Sequence, residues 1–146
     1  MKLNVNQDLV VSCSSKEAVV HSIRNSLLIS KLDFQSNYIS KDIAITRTCN
    51  IVIHCLEKNT GFSVLLLYSS KGSFVKERKY SCVLRQFKSF EGNIFALEES
   101  QLDSITIPTL ESRNLLKVGG AYAFSMSHLK DQILVLEKEC LIIYSN

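Results

Sequence analysis

The sequence has one proline and five glycines in 146 residues, and no repeated or low-complexity tract interrupts it. Hydrophobic residues make up 46% of the chain, which excludes a disordered tail and allows one sizeable core. The longest aliphatic run, residues 64–67, is too short to cross a bilayer, and the amino terminus lacks the apolar stretch of a signal peptide. We therefore expect a soluble intracellular protein, nuclear or cytoplasmic, with no membrane partner.

The five cysteines lack the paired spacing of a disulfide scaffold or a zinc site, and no CxxC motif is present. On a strand, Cys49 and Cys55 would share one face while His54 lies on the other, which disfavours a common metal geometry. The cysteines are therefore expected to be buried free thiols, and we expect no metal and no other cofactor.

The sequence also has little excess of one charge over the other, because 17 basic and 14 acidic residues leave a formal net charge of +3. This mildly basic balance permits a polyanionic partner without requiring one. The mean hydropathy of +0.10 is high for a lone domain. It indicates that another protein subunit covers part of the apolar surface.

Sequence signatures of catalysis are missing as well. The chain contains no G-x-S-x-G, P-loop or HExxH motif, and the Gly119-Gly120 pair precedes a predicted strand rather than a helix. Cys140 has no histidine placed by sequence to serve as its base, and His128 with Asp131 has the composition of an exposed turn. We therefore expect a protein that is not an enzyme.

The first 42 residues predict an arm and an amphipathic helix. Residues 3–13 alternate loosely, as in a short strand. Ser14 and Glu17 form a capping-box pattern, in which the hydroxyl and the carboxylate satisfy two free backbone amides at a helix start. Apolar residues then recur at helical spacing, which predicts a helix over residues 15–32. These residues are Val19, Val20, Ile23, Leu27 and Leu28.

From residue 43 the hydrophobic period becomes that of strands. Alternating apolar residues between Ile43 and Ile53, then residues 62–69 and 80–87, predict a meander of three strands joined by glycine-containing turns. Residues 88–114 predict a crossing connection with a short helix at 98–103, ended by Pro108. Strands over residues 121–126 and 132–144, with a turn at 128–131, complete a set of five.

The closing segment LLKVGGAYAFSMSHLKDQILVLEKECLII resembles the last two strands of OB domains in the replication protein A and telomere-capping (CST, shelterin-like) families. The resemblance rests on Leu116, Val118-Gly119, Tyr122 and Lys130, and it covers residues 43–144 at pattern level. It implies a mainly β fold, a five-stranded OB-like β-barrel of residues 43–146, with the helix and arm of residues 1–42 packed on it as one structural domain.

The resemblance also implies a small non-catalytic subunit of a genome-maintenance complex in telomere, replication or recombination pathways. Such a subunit binds other protein subunits as a hetero-oligomer, with single-stranded DNA as a candidate ligand. OB domains hold single strands through aromatic stacking and cationic contacts in one groove. The stretch KERKYSCVLRQFKSF interleaves basic and aromatic residues. The candidate nucleic-acid-binding residues are Tyr68, Lys76, Arg78, Lys79, Arg85, Phe87, Lys88 and Phe90.

Two alternatives stay open at this level. The basic and aromatic residues of that stretch also suit a solvated strand edge with its core partners, and Tyr122 and Phe124 suit a core. The chain as a whole also suits a protein–protein interaction module or assembly chaperone that binds no nucleic acid. In that case the helix over residues 15–32 or an uncovered strand would dock the partner.

Overall fold

The computed structural model describes residues 1–6, 8–127, 132–138 and 140–145, and within them the chain forms fifteen strands and no helix. Accordingly, those residues include no helix long and apolar enough to cross a membrane. The strands form four antiparallel meanders in chain order. Sheet 1 contains β1 (Lys2–Val5), β2 (Leu9–Cys13), β3 (Glu17–Ser22) and β4 (Leu28–Asp33). Sheet 2 contains β5 (Tyr38–Ile45), β6 (Ile51–Glu57), β7 (Ser63–Tyr68) and β8 (Phe74–Lys79).

The remaining strands repeat the same pattern. Sheet 3 contains β9 (Gln86–Phe90), β10 (Asn93–Leu97), β11 (Gln101–Thr106) and β12 (Glu111–Lys117). Sheet 4 contains β13 (Ala123–Ser127), β14 (Gln132–Leu136) and β15 (Leu141–Ser145).

The four sheets are arranged around a common axis. The first strand of each sheet lies beside the first strand of the next, so that β1, β5, β9 and β13 are successive neighbours. The fourth strands β4, β8 and β12 lie farthest from this line and are largely exposed. Radial repetition of four-stranded meanders is the architecture of β-propeller blades. We therefore call the four sheets blades 1 to 4.

Apolar residues packed between successive blades hold the four blades together, and we call the row of four blades the arc. One buried cluster lies between blades 1 and 2, a second between blades 2 and 3, and a third between blades 3 and 4. Blade 2 is covered on both faces, since Ile51 and Ile53 face blade 1 while Val52 faces blade 3. This explains why β6 and β7 are nearly continuous hydrophobic runs rather than alternating ones.

The predicted five-stranded OB-like barrel is wrong. Each described strand pairs only within its own open sheet. The predicted third strand, residues 80–87, instead begins as the connection between blades 2 and 3, and the predicted crossing connection, residues 88–114, contains β10, β11 and most of β12. The predicted last strand, residues 132–144, is divided into β14 and β15. Apolar alternation continues across tight turns, so it did not show where one strand ends and the next begins.

The predicted amphipathic helix over residues 15–32 is also wrong, because this segment forms β3 and β4. The Ser14 hydroxyl accepts the amide of Glu17 at 3.2 Å, but it closes the turn between β2 and β3 rather than starting a helix. Ala18 and Val20 are fully buried while Val19 is half-buried, which is the period of a strand. Adjacent β-branched residues favour that pairing over a helical turn.

Some predictions fall outside what the structure decides. The turn predicted at residues 128–131, which includes His128, Lys130 and Asp131, lies outside the described residues. The division predicted between residues 42 and 43 falls within β5, and the number of domains stays a prediction.

Gly92 is the position where this fold most requires a glycine. Its φ is +76°, and a Cβ placed there would lie 2.7 Å from the backbone nitrogen of Arg47 in the neighbouring blade. Gly61 has a similar φ of +71°, but a Cβ placed on it would have no other atom within 4 Å. A substitution at Gly61 would therefore introduce backbone strain alone, and the same substitution at Gly92 would add a clash with the neighbouring blade.

We expect Gly92→Ala to lower the free energy of unfolding by more than Gly61→Ala. The shared positive φ costs each variant about 1 kcal/mol, and the contact with Arg47 adds at least about 1 kcal/mol more at Gly92. Urea unfolding followed by circular dichroism measures both. Equal losses would contradict the close approach of blades 2 and 3 at this turn.

Candidate binding face formed by the inner turns

The three aromatic residues predicted to stack on bases are packed between blades. Tyr68 lies in the cluster between blades 1 and 2, Phe87 in the cluster between blades 2 and 3, and Phe90 packs on the cluster between blades 3 and 4. Burial raises the pKa of Tyr68 to about 12. These rings therefore belong to three separate cores rather than to one exposed platform.

Most of the predicted basic residues have partners within the chain. Arg78 donates to the carbonyl of Leu110 at 2.7 Å, and its guanidinium lies 4.6 Å from the centre of the Tyr80 ring. Lys79 lies 2.7 Å from the carboxylate of Glu57.

The other basic candidates lie nearer the axis or at the outer edge of the arc. Arg85 lies 3.8 Å from the carboxylate of Glu99, and Lys88 donates to the carbonyl of Phe124 at 3.3 Å. Lys76 is exposed on β8. Phe124 belongs to the next blade, so Lys88 links β9 to β13, just as Arg78 links blade 2 to Leu110 of blade 3.

A different set of residues meets at one end of the axis. Asn4 of β1 donates to the carbonyl of Ile43 at 3.0 Å, and Asn6 donates to that of Thr46 at 3.4 Å. The matching order shows that β1 and β5 run in the same direction, so the turns that follow them open on the same side. We call the turns after β1, β5 and β9 the inner turns.

The inner turns enclose a cleft of about 650 Å³. We call it the axial cleft. A second cleft of about 410 Å³ adjoins it and shares the walls at Thr46, Arg47 and Gly92. The axial cleft is lined by residues from blades 1, 2 and 3, namely Asn4, Val5, Asn6, Asp8, Ile45, Thr46, Arg47, Ser89, Glu91 and Gly92.

Asn6 fixes the turn of blade 1 and joins it to blade 2. Its side-chain oxygen accepts the amides of Asp8 at 2.9 Å and Leu9 at 2.7 Å, as an asparagine-stabilised turn requires. Its side-chain nitrogen reaches the carbonyl of Thr46 and, at 3.4 Å, the sulfur of Cys49. One amide therefore holds the walls of the cleft at a fixed distance.

Arg47 joins the inner turn of blade 2 to the inner turn of blade 3. Its Nε donates to the carbonyl of Glu91 at 2.5 Å, and its Nη2 lies 3.8 Å from the Glu91 carboxylate. On the other side of the cleft, Asp8 lies 3.0 Å from Nη2 of Arg24. These ion pairs are exposed, so each contributes at most about 1 kcal/mol. The cleft thus presents amide, hydroxyl and both signs of charge.

The arrangement does not form a metal site among the described residues, since no group of three or more His, Cys, Asp or Glu side chains converges there. The five cysteines are free, with Cys13 and Cys55 buried and Cys140 exposed. His54 and Cys55 do face opposite sides of β6, as predicted, because Cys55 lies in the cluster with blade 1 and His54 lies 5.8 Å from the Phe87 ring.

His54 and Ser63 form a buried pair between blades 2 and 3. The His54 Nε2 lies 2.8 Å from the Ser63 hydroxyl oxygen, which also accepts the amide of Leu84 at 2.9 Å. Burial lowers the pKa of His54 to about 4, and the charge of Lys41 acts in the same direction. Because Ser63 is 0% exposed, a substrate has no access to its hydroxyl. The pair holds the blade connection in place.

No protein-family model and no curated protein matches the sequence. Solved structures do match over nearly the whole chain. Hydrazine synthase from Kuenenia stuttgartiensis superposes with a TM-score of 0.68 at 9% identity, covering 99% of this chain and 45% of that one. Dihydro-heme d1 dehydrogenase NirN in complex with DHE gives 0.74 at 9% identity, covering 99% and 35%. The WD40 domain of SCAP from fission yeast gives 0.62 at 12% identity, covering 98% and 38%.

These similarities establish a β-propeller-like fold and nothing finer, because the identities are too low to carry function. The chain spans about a third to a half of the structures it matches. The resemblance to replication protein A and telomere-capping OB domains is therefore wrong. The expected single-stranded DNA binding at telomeres depended on that fold and loses its basis with it.

Sequence reasoning missed the inner turns entirely. The alternating pattern that predicts the first strand of the barrel includes residues 46–50, and the predicted crossing connection includes residues 91–92. The available signals were polar clusters with turn chemistry, such as Thr46-Arg47-Thr48 and Glu91-Gly92. Cys49 and Glu91 both adopt positive φ, at 61° and 49°. Neither cysteine nor glutamate favours that conformation, so the residue types could not predict it.

The buried His54 makes stability depend on pH. Its pKa is near 4 in the folded chain and 6.5 when exposed, so the unfolded chain binds the extra proton between those values. The stability associated with a neutral His54 is therefore fully present above about pH 6.5 and is lost as the pH falls towards 4. Between pH 7.5 and pH 5 the loss should be about 2 kcal/mol.

Urea unfolding at several pH values tests this expectation. The His54→Gln variant should lose that part of the pH dependence, while His21→Gln, a half-buried histidine of β3, should keep it. An unchanged slope in His54→Gln would contradict the burial of a neutral imidazole between blades 2 and 3.

Proposed function

We propose that this chain is a non-catalytic protein–protein interaction module that binds a partner protein at the axial cleft. The observation that carries the proposal is the meeting of three inner turns around a cleft of about 650 Å³ with an adjoining cleft of about 410 Å³. Turns on a rigid scaffold are where binding residues concentrate. An intracellular location, nuclear or cytoplasmic, is part of the same proposal.

The chemistry of the cleft suits a polypeptide segment. The side-chain oxygen of Asn4 and the hydroxyl of Ser89 can meet backbone groups of a partner, while the Asn6 amide is used within the chain to hold the cleft walls. Arg47 and Asp8 offer one charge of each sign at the edges. A polyanion would require a patch of one sign, and here each charge has an opposite neighbour.

The proposal of a non-catalytic role is supported by the burial of three side chains of types that often take part in catalysis. His54 and Ser63 are buried between blades, and Asp103 is buried against the amides of Gln101 and Asn114. Two of the similar structures are enzymes by name, but at 9% identity they share the fold alone with this chain.

An Arg47→Glu variant tests the proposed binding face. Tagged wild type, Arg47→Glu and the control Lys16→Glu would be purified from cells, and the proteins recovered with each would be compared by mass spectrometry. Lys16 is an exposed basic residue in the turn between β2 and β3, at the end of blade 1 remote from the inner turns. We expect at least one partner protein to be recovered with wild type and, in equal amount, with Lys16→Glu.

Recovery with Arg47→Glu should fall about tenfold, which corresponds to ~1.4 kcal/mol, because the interface then contains a reversed charge. Thermal unfolding of all three proteins checks that the folds are equally stable. Equal recovery by all three, or recovery of nucleic acid in place of a protein, would contradict this function.

A further inference from the structure

The outward face of blade 4 is uncharged in its described part. Phe124 and Val135 point into the core shared with blade 3, so the alternate residues of the same strands point away from it. Leu136, Leu141 and Ile143 on this outward face are 47%, 58% and 55% exposed. The rows of this face are Ala123 with Leu136 and Leu141, Ser125 with Leu134 and Ile143, and Ser127 with Gln132 and Ser145.

The outward face of blade 1 is apolar on the two strands nearest the axis and carries charge farther out. The residues that alternate with the buried Val11 and Val20 form rows across the sheet and include Leu3, 61% exposed, and Leu28, 56% exposed. Farther from the axis, Glu17 and Lys31 pair with each other at 3.3 Å, and His21 and Asp33 lie on the same face. The apolar residues of this face are Leu3, Val5, Val10, Val19 and Leu28.

The chain's other outer strands show what a solvent-facing strand normally carries. β8 has the sequence FVKERK and β12 the sequence ESRNLLK, and both keep charged residues in solvent. β15 has the sequence LIIYS, with no charge, at the outer edge of blade 4. An uncharged, exposed edge strand promotes association unless another surface covers it.

Three clusters join the four blades, and no described residue covers the outward face of blade 1 or of blade 4; we call these two surfaces the end faces. Blades 2 and 3 each bury both of their faces, whereas blades 1 and 4 each bury one. The outward face of blade 4 is equivalent to the surface by which blades 1, 2 and 3 contact the following blade. The outward face of blade 1 is equivalent to the surface by which blades 2, 3 and 4 contact the preceding blade.

We propose that a second copy of this chain covers both end faces, with blade 4 of each copy packed against blade 1 of the other to close a ring of eight blades. The contact repeats a packing that each chain already makes three times. A two-fold rotation about the ring axis forms both contacts at once and leaves no end face free. Eight blades lie within the usual range of propellers.

The composition of the faces favours this occupant. A charged partner surface would leave its charges unpaired against the uncharged face of blade 4, which is costly. The apolar residues of β1 and β2 on this face of blade 1 bring no such charge, and Glu17, Lys31 and Asp33 lie farther from the axis on β3 and β4. This inference is independent of the partner proposed for the axial cleft, since neither end-face row contains Arg47.

Light scattering coupled to gel filtration tests the ring. The wild-type chain should elute as a single species with twice its mass of 16.5 kDa. Leu3→Glu on blade 1 and Ile143→Lys on blade 4 should each raise the dissociation constant at least about tenfold. The control Val83→Lys alters a residue that is 49% exposed in the connection between blades 2 and 3, and it should remain dimeric.

Mixing the two end-face variants distinguishes this ring from other dimers. A mixed dimer keeps one wild-type interface, between blade 4 of the Leu3→Glu chain and blade 1 of the Ile143→Lys chain, and places the two new charges of opposite sign in the other interface. The mixture should therefore dimerise at a concentration at which each variant alone is monomeric.

Three outcomes would overturn the ring: a wild-type chain that stays monomeric up to its highest soluble concentration, a dimer that only one of the two variants weakens, and an open series of larger oligomers. A monomer would leave the end faces to blades that lie outside these residues, in the same protein or in another. Circular dichroism melts of each variant establish that a loss of dimer is not a loss of fold.

Discussion

The structure depends on one constraint, which is that every blade must bury its faces against its neighbours. Backbone hydrogen bonds pair strands only within a blade, so side chains make most of the contact between one blade and the next, beside a backbone bond from the Ser40 amide to the Ser15 carbonyl at 3.4 Å. Apolar clusters supply most of that contact. Polar side chains of the first strands then fix the spacing, as Asn4 does on Ile43 and Lys88 does on Phe124.

The same constraint decides how much of the fold the sequence could predict. Strand content was visible where β-branched residues cluster, and β7 lies within a predicted strand. The helix prediction failed because Val19, Val20 and Ile23 satisfy a helical period over a short window while they alternate as strand and turn residues. The division into blades was hidden, since β6 and β7 are buried on both faces and lose the alternation that marks a sheet edge.

The candidate site was less predictable than the fold. In the stretch KERKYSCVLRQFKSF, which predicted nucleic-acid binding, the aromatic rings pack in inter-blade cores and most of the basic side chains contact nearby carboxylates and carbonyls. The axial cleft instead uses Asn6, Arg47 and Gly92, which are far apart in sequence and ordinary in composition. Only the side-by-side placement of β1, β5 and β9 brings these turns together, and no local pattern encodes that placement.

Amide hydrogen exchange measured residue by residue tests the blade account most directly. If blade faces are buried as described, β2 and β3 should be protected together with β6, β7 and β10, while β8 and β12 exchange faster. Protection confined to residues 43–145, with residues 2–33 exchanging freely or protected in a helical pattern, would contradict the arc of four blades.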